Sequence, residues 1–178
     1  MTAETQGPAC ELTSLVVDVT KQIDRLEKSL QRMIDWNKAI DTKTQIALGL
    51  NLAMLGGLVA MSPKPDDLTF RMLVLLAIGG ILPFLSCVQC MRGFFPQTKG
   101  PGDSLIFFGA IDNRTVDGYR KAICEETDET YASDLCEQVY RNAQIATSKY
   151  RLVKNAILLQ AMGVIPWLIA SYVLYKGF

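Results

Sequence analysis

Two cysteines stand in C-x-x-C spacing at Cys87 and Cys90, an arrangement that serves dithiol redox chemistry or half of a zinc site. Nothing around them supports either use. The chain contains no His, which removes the commonest general base and metal ligand and excludes Ser-His and His-rich zinc sites. No second cysteine pair follows, and the five Cys are scattered and odd in number. That pattern argues against a secreted disulfide framework and suits a reducing compartment. Acidic residues crowd together at Asp112, Asp117, Glu125, Glu126, Asp128 and Glu129. With no base, nucleophile or metal motif beside them, they read as a solvated face. Neither a phosphate-binding G-x-x-x-x-G-K-[ST] loop nor a G-x-G-x-x-G turn occurs. We therefore expect no catalytic residue, no metal site, no cofactor and no enzyme.

The remaining chemistry lies in a charged belt. Asp41 and Lys43 precede one apolar run, and Lys149 and Arg151 precede another at the same depth. Such charges serve as snorkelling anchors for helix ends. They also suit a polar pocket in which Phe107, Phe108 and Tyr119 offer stacking faces while Lys or Arg meets an anion. Those seven residues are the candidate ligand set. Lys+Arg and Asp+Glu number 18 each, for a formal net charge of zero. That balance argues against a nucleic-acid partner, because nucleic-acid binders carry a basic excess to neutralise phosphates.

What must position these residues is set by hydropathy. Of the 178 residues, 49% are hydrophobic and 20% charged, and the apolar ones are concentrated. The runs 44–61, 72–91 and 155–175 carry no charge. Each approaches the ~20 residues that a helix needs to cross ~30 Å of hydrocarbon. The sequence predicts an all-α membrane protein with spans over 44–61, 70–91 and 155–175, long cytoplasmic helical extensions and a small irregular cytoplasmic insertion. The first run begins too far from the N-terminus for a cleaved signal peptide. Lys and Arg gather before spans one and three and after span two, whereas the link 62–68 carries one Lys against two Asp. The positive-inside rule then places the N-terminus and the middle segment in the cytoplasm, with the C-terminus outside. Trp167, Tyr172 and Tyr175 suit the outer interface.

Gly49, Ala53 and Gly57 recur every four residues, and Gly56 and Ala60 repeat the pattern on a neighbouring stripe. Small residues so spaced allow close helix packing in lipid, either within one bundle or between copies in a homo-oligomer. Asn51, Gln89 and Gln160 are amides that should face other helices, because an amide facing lipid is costly. Pro83 and Pro166 each remove a backbone donor and are positions for kinks.

Outside the spans, residues 1–11 read as a flexible terminus, 12–43 as a cytoplasmic helix running into the membrane, and 92–154 as a cytoplasmic segment ending in a long helix. A short tail, 176–178, lies outside. Val16, Val19, Ile23, Leu26, Leu30, Met33 and Ile40 keep a spacing of three and four, with Asn37 in register. Leu135, Val139, Ala143, Ala146, Tyr150 and Val153 form the apolar face expected of a helix over 128–154. Between them, 94–103 is a Pro- and Gly-rich loop, and 104–109 is an apolar run, either a strand or an insertion on the bundle. A short helix follows, with Thr115 as its N-cap.

Several of these residues resemble one family, the membrane effectors of the Pycsar (pyrimidine cyclase) antiphage system. They are Trp36 with Asp41-x-Lys43; the run Ser104-Leu105-Ile106-Phe107-Phe108-Gly109-Ala110-Ile111 with Tyr119; and Leu135, Gln138, Tyr140, Asn142, Ala143, Ile145, Lys149 and Tyr150. The resemblance covers nearly everything from Trp36 onward. It implies an effector in the bacterial inner membrane, activated by cyclic UMP or cyclic CMP from a partner nucleotide cyclase. Such an effector disrupts the membrane and kills the infected cell before phage matures. Two other readings remain open on the residues alone: a passive scaffold that recruits a partner through its N-terminal helix, and a small ion channel unrelated to signalling.

Overall fold

The computed structural model describes residues 8–64, 66, 68–95, 100 and 102–176, with side chains from Asp18 onward. Five helices follow in order: α1 Pro8–Met61, α2 Phe70–Phe94, α3 Phe108–Asp112, α4 Val116–Glu125 and α5 Asp128–Lys176. No strand occurs among the described residues. The all-α class stands, and α1, α2 and α5 are long and apolar enough to cross a membrane. Contacts divide the chain into a polar unit, Met1–Trp36 with Gln97–Ile145, and a membrane unit, Asn37–Pro96 with Ala146–Phe178.

α1 and α5 run through both units, 54 and 49 residues long, with no break near 40–44 or 150–155. The residues explain this, since neither boundary holds Gly or Pro. One correction concerns the start of α1, which is Pro8 rather than Leu12. A proline at the first helical position loses nothing, because its missing N–H has no partner there anyway. The expected flexible terminus over 1–7 and the tail at 177–178 lie outside the described residues.

The covered face of α1 keeps one period along its length: Val19, Ile23, Leu26, Leu30, Met33, Asn37, Ile40, Thr44, Ala47, Asn51 and Leu58 are all buried or half-buried. Its composition changes midway. In the polar unit the stripe is large and aliphatic, as burial from water requires. In the membrane unit it turns small and polar at Thr44, Ala47 and Asn51. Lipid tails supply no hydrophobic force between helices, so close approach and hydrogen bonding must hold them. Large side chains there point outward instead: Ile46, Leu50, Leu52 and Val59 are all more than half exposed. Only 22–28% of each membrane-length window is buried, which fits a lipid-facing exterior and not the core of a water-soluble globule.

Within the membrane unit, glycines let α2 and α5 pack closely. A Cβ on Gly79 would lie 2.7 Å from Ala170 Cβ, and one on Gly163 would lie 3.1 Å from Leu82 Cβ and Pro83 Cδ. A polar node ties all three spans. Asn51 Nδ2 donates to Ser86 Oγ (2.7 Å) and to Ala47 O (2.8 Å), and Ser86 Oγ donates to Ala156 O (2.8 Å). Asn51 and Ser86 are fully buried, so the expectation that Asn51 faces other helices holds. The Trp167 indole donates to Met54 O at 2.7 Å, beside Gly57, whose hypothetical Cβ would sit 3.5 Å from Trp167 Cζ2. α2 and α5 continue through Pro83 and Pro166. Gly49 and Ala53, by contrast, are exposed, and nothing comes within 4 Å of a Cβ on Gly49. The described bundle draws its tight contacts from Gly79 and Gly163 instead.

In the polar unit, residues 104–107 form no strand but lead through a bend into α3. α4 starts as expected, with Thr115 Oγ1 accepting from Gly118 N at 3.2 Å. Tyr131 on α5 donates through its hydroxyl to Glu27 Oε1 on α1 at 2.9 Å. Tyr150 departs from the expected apolar face and is 59% exposed. The other five residues of that face, Leu135, Val139, Ala143, Ala146 and Val153, are buried or half-buried, and Gln138 and Lys149 join them, each with a partner.

Candidate functional site

The polar unit is organised around one hydroxyl. Ser104 Oγ donates to Asp134 Oδ2 (2.9 Å) and accepts from Ile106 N (3.1 Å), Phe107 N (2.9 Å) and Gln138 Nε2 (2.9 Å). Asp134 Oδ2 also accepts from Leu105 N at 2.9 Å. Residues 104–107 lie outside any helical ladder, so their amides need other partners, and Ser104 with Asp134 supplies those of Leu105, Ile106 and Phe107. Ser104 and Gln138 are 4% and 5% exposed. Tyr119 closes the arrangement from α4, its hydroxyl donating to Leu105 O at 3.1 Å. Phe107 and Phe108 have ring centroids 4.7 Å apart. Phe107 also fills the room left by two glycines, since Cβ atoms on Gly100 and Gly109 would fall 2.5 and 2.7 Å from its Cε1.

Beside this network is a cavity of about 560 Å³ between the turn at 102–105, α4 and the start of α5. Five carboxylates line it, from Asp103, Glu125, Glu126, Asp134 and Glu137, with one guanidinium, Arg114. Arg114 Nη2 donates to Asp103 O at 2.9 Å, which fixes the base of its fork. Loss of hydration pushes the half-buried Glu126 carboxyl above its usual range, and the Asp134 carboxylate adds to the shift. The N-terminus of α5 is held by a reciprocal pair: Thr127 N donates to Thr130 Oγ1 (2.9 Å) and Thr130 N to Thr127 Oγ1 (3.3 Å). No group of acidic or sulfur ligands among the described residues could hold a metal ion.

In the membrane unit Lys149 Nζ meets both oxygens of Asp41, at 2.7 and 2.9 Å. The Lys149 side chain is 19% exposed and that of Asp41 37%, so the pair is shielded from water more than most surface pairs. Lys43 and Arg151 are exposed. The seven candidate residues therefore fall into two sets. Asp41, Lys43, Lys149 and Arg151 belong to the membrane unit, with Asp41 and Lys149 brought together. Phe107, Phe108 and Tyr119 belong to the polar unit, and none of the seven lines its cavity. Ser104, Asp134, Gln138, Arg114 and Glu126 carry the site geometry; none was among the seven candidates, Ser104 and Gln138 having entered only through the family motif and Glu126 only as part of a solvated acidic face. A signal existed for Gln138, an amide on an otherwise aliphatic helix face. Cys87 and Cys90 are buried in α2 as free thiols, as packing residues in a span would be.

These features define a class: a three-span helical membrane protein whose first and third spans continue into a small helical polar unit. Residues 25–176 match the model of the Pycsar effector protein domain, and the chain belongs to that family of antiphage defence effectors. Among curated proteins it is 23% identical over 177 residues to the Pycsar effector protein GmPycTM of Gulbenkiania mobilis, covering 83% of this chain and 86% of that one. It is 24% identical over 143 residues to the Pycsar effector protein PtPycTM of Propioniciclava tarda, covering 74% and 69%. Both relatives are named effectors, not enzymes. No solved structure matches the chain. The motif residues now have physical roles: Ser104 and Gln138 meet in one hydrogen-bonded node, and Asp41 and Lys149 in one ion pair.

Proposed function

We propose that this protein is activated by a cyclic pyrimidine nucleotide, cyclic UMP or cyclic CMP, made by a partner nucleotide cyclase, and then disrupts the bacterial inner membrane. Cell death follows before phage matures. Its N-terminus and middle segment face the cytoplasm, where the messenger is made, and its C-terminus faces outward. The active form is a homo-oligomer. Family membership supports the signal and the membrane setting. The single observation that carries the mechanism is the continuity of α1 and α5 from polar unit to spans. A helix with no break passes a displacement of one end to the other, so differential binding of a messenger can bias the packing of the spans. Moving such an equilibrium from 1:99 to 99:1 takes about 5.5 kcal/mol of differential affinity.

The test is dye release from liposomes holding the purified full-length protein, with cyclic UMP, cyclic CMP or neither. Release that depends on one of the nucleotides is expected. Release without nucleotide would favour a constitutive channel, and no release together with no nucleotide binding would defeat the proposal.

A further inference from the structure

The cavity of the polar unit has the size and chemistry of a small-molecule site. At about 560 Å³ it falls within the range of roughly 300–1,000 Å³ typical of ligand pockets. Its charge is lopsided but specific, with one guanidinium opposite five carboxylates. Such a lining repels a polyphosphate or a dinucleotide, each of which needs several cations. It leaves one seat for a single negative charge, at Arg114, and carboxylate acceptors around it for several hydrogen-bond donors. A nucleoside cyclic monophosphate is built that way: its cyclic phosphodiester carries one charge, its ribose keeps one free hydroxyl, and its base can carry an amine.

Arg114 is placed for the phosphodiester. One of its five N–H donors is spent on the Asp103 carbonyl, which orients the rest of the fork, and a guanidinium is the side chain best matched to phosphate oxygens. The carboxylates are acceptors when ionised. Asp134 uses Oδ2 for Ser104 and Leu105, leaving Oδ1, and Glu126 stands across from it on the end of α4. Carboxylates accept from the exocyclic amine of cytosine. Uracil presents a carbonyl oxygen at the same place, which would face another oxygen with no proton between them.

We propose that this cavity is the messenger site, with Arg114 holding the cyclic phosphate and the Glu126 and Asp134 carboxylates receiving the ribose hydroxyl and the base amine, so that cyclic CMP is bound in preference to cyclic UMP. This assignment rests on the messenger reading above and adds its location and its base selectivity. The loss of hydration at Glu126 fits a site that strips water from its ligand. Because Ser104 and Asp134 also hold the turn before α3, occupation of the cavity acts on the segment that leads to α4 and, through Asp134 and Gln138, on α5.

The experiment is calorimetric titration of the full-length protein in lipid nanodiscs with cyclic CMP, cyclic UMP and cyclic GMP. It is run on the wild type and on Arg114→Gln, Arg114→Lys and Glu126→Gln, with thermal melts to confirm folding. Wild type should bind cyclic CMP at least tenfold more tightly than cyclic UMP. Arg114→Gln should weaken cyclic CMP at least tenfold, Arg114→Lys should weaken it less, and Glu126→Gln should narrow the ratio between the two pyrimidines. Folded Arg114→Gln protein that binds as the wild type does would overturn the site while leaving the messenger reading intact. Equal or tighter binding of cyclic UMP by the wild type would overturn the base assignment and with it the proposal. Binding of no cyclic nucleotide by the wild type would remove the messenger reading itself.

Discussion

Replacing Ser104 by Ala removes one oxygen and tests how the polar unit is built. The Oγ makes four hydrogen bonds, three as acceptor and one as donor. Asp134 keeps its bond from Leu105 N, so its loss is partial. The amides of Ile106 and Phe107 belong to half-buried residues and regain some water, whereas Gln138, 5% exposed, does not. An orphaned buried polar group costs about 1–3 kcal/mol. Counting Gln138 in full and the two amides in part gives a total of about 2–4 kcal/mol. At this chain length that corresponds to a melting shift of roughly 4–16 °C. Amide hydrogen exchange gives the local reading: the Ile106 and Phe107 amides should lose protection first. Adding Gln138→Leu should cost much less in the Ser104→Ala background than alone, because the shared bond is already gone. A Ser104→Ala protein melting within 1 °C of the wild type, with both amides still protected, would refute the hub.

Four further outcomes follow from the geometry. Gly79→Val should disturb the α2–α5 contact, since even its Cβ falls 2.7 Å from Ala170 Cβ; a loss of about 1–3 kcal/mol is expected in denaturation from detergent, with Gly49→Val near neutral as the control. Lys149→Met should destabilise by about 1–2 kcal/mol, between exposed and buried pairs, and the exchange Asp41→Lys with Lys149→Asp should recover part of that in the same assay. Gly57→Leu should displace the Trp167 ring, read as a change in tryptophan fluorescence, and should reduce dye release without preventing insertion. Glu126 gives a pH dependence: its folded pKa lies above its unfolded value, so the folded state holds the extra proton and its contribution to stability falls as pH rises from the ordinary carboxylate value of 4.5 through the raised one. Melting curves across that window should flatten in Glu126→Gln.

Much of the fold was legible because the membrane restricts it. Uncharged runs of span length leave few alternatives to helices, and the period of three and four identified the covered face of α1 from Val19 to Ile40. The absence of Gly or Pro near 40–44 and 150–155 was enough to expect unbroken helices. Thr115 was recognisable as a cap by type and position. The small-residue stripes were visible, but which of them makes contact was not: Gly49 and Gly79 look alike in sequence, and only the helix facing each one separates them. Tyr150 misled because an aromatic on an apolar period suggests burial, while Lys149, one position earlier, is half-buried and paired with Asp41. The Ser104 node was out of reach for a different reason. Its members are 30 and 34 residues apart, and a serine before an apolar run has no local pattern that marks it as the acceptor for the turn's amides.

The mechanism stands or falls on helix continuity, and one measurement addresses it directly. Gly-Pro-Gly inserted between Trp36 and Asn37 breaks α1 where it passes from one unit to the other and leaves both units' residues in place. Dye release from liposomes on addition of cyclic CMP, with nucleotide affinity measured on the same preparation, is the readout. The expected result is unchanged affinity with release lost. Release equal to that of the uninterrupted chain would show that no rigid connection through α1 is needed and would contradict the mechanism.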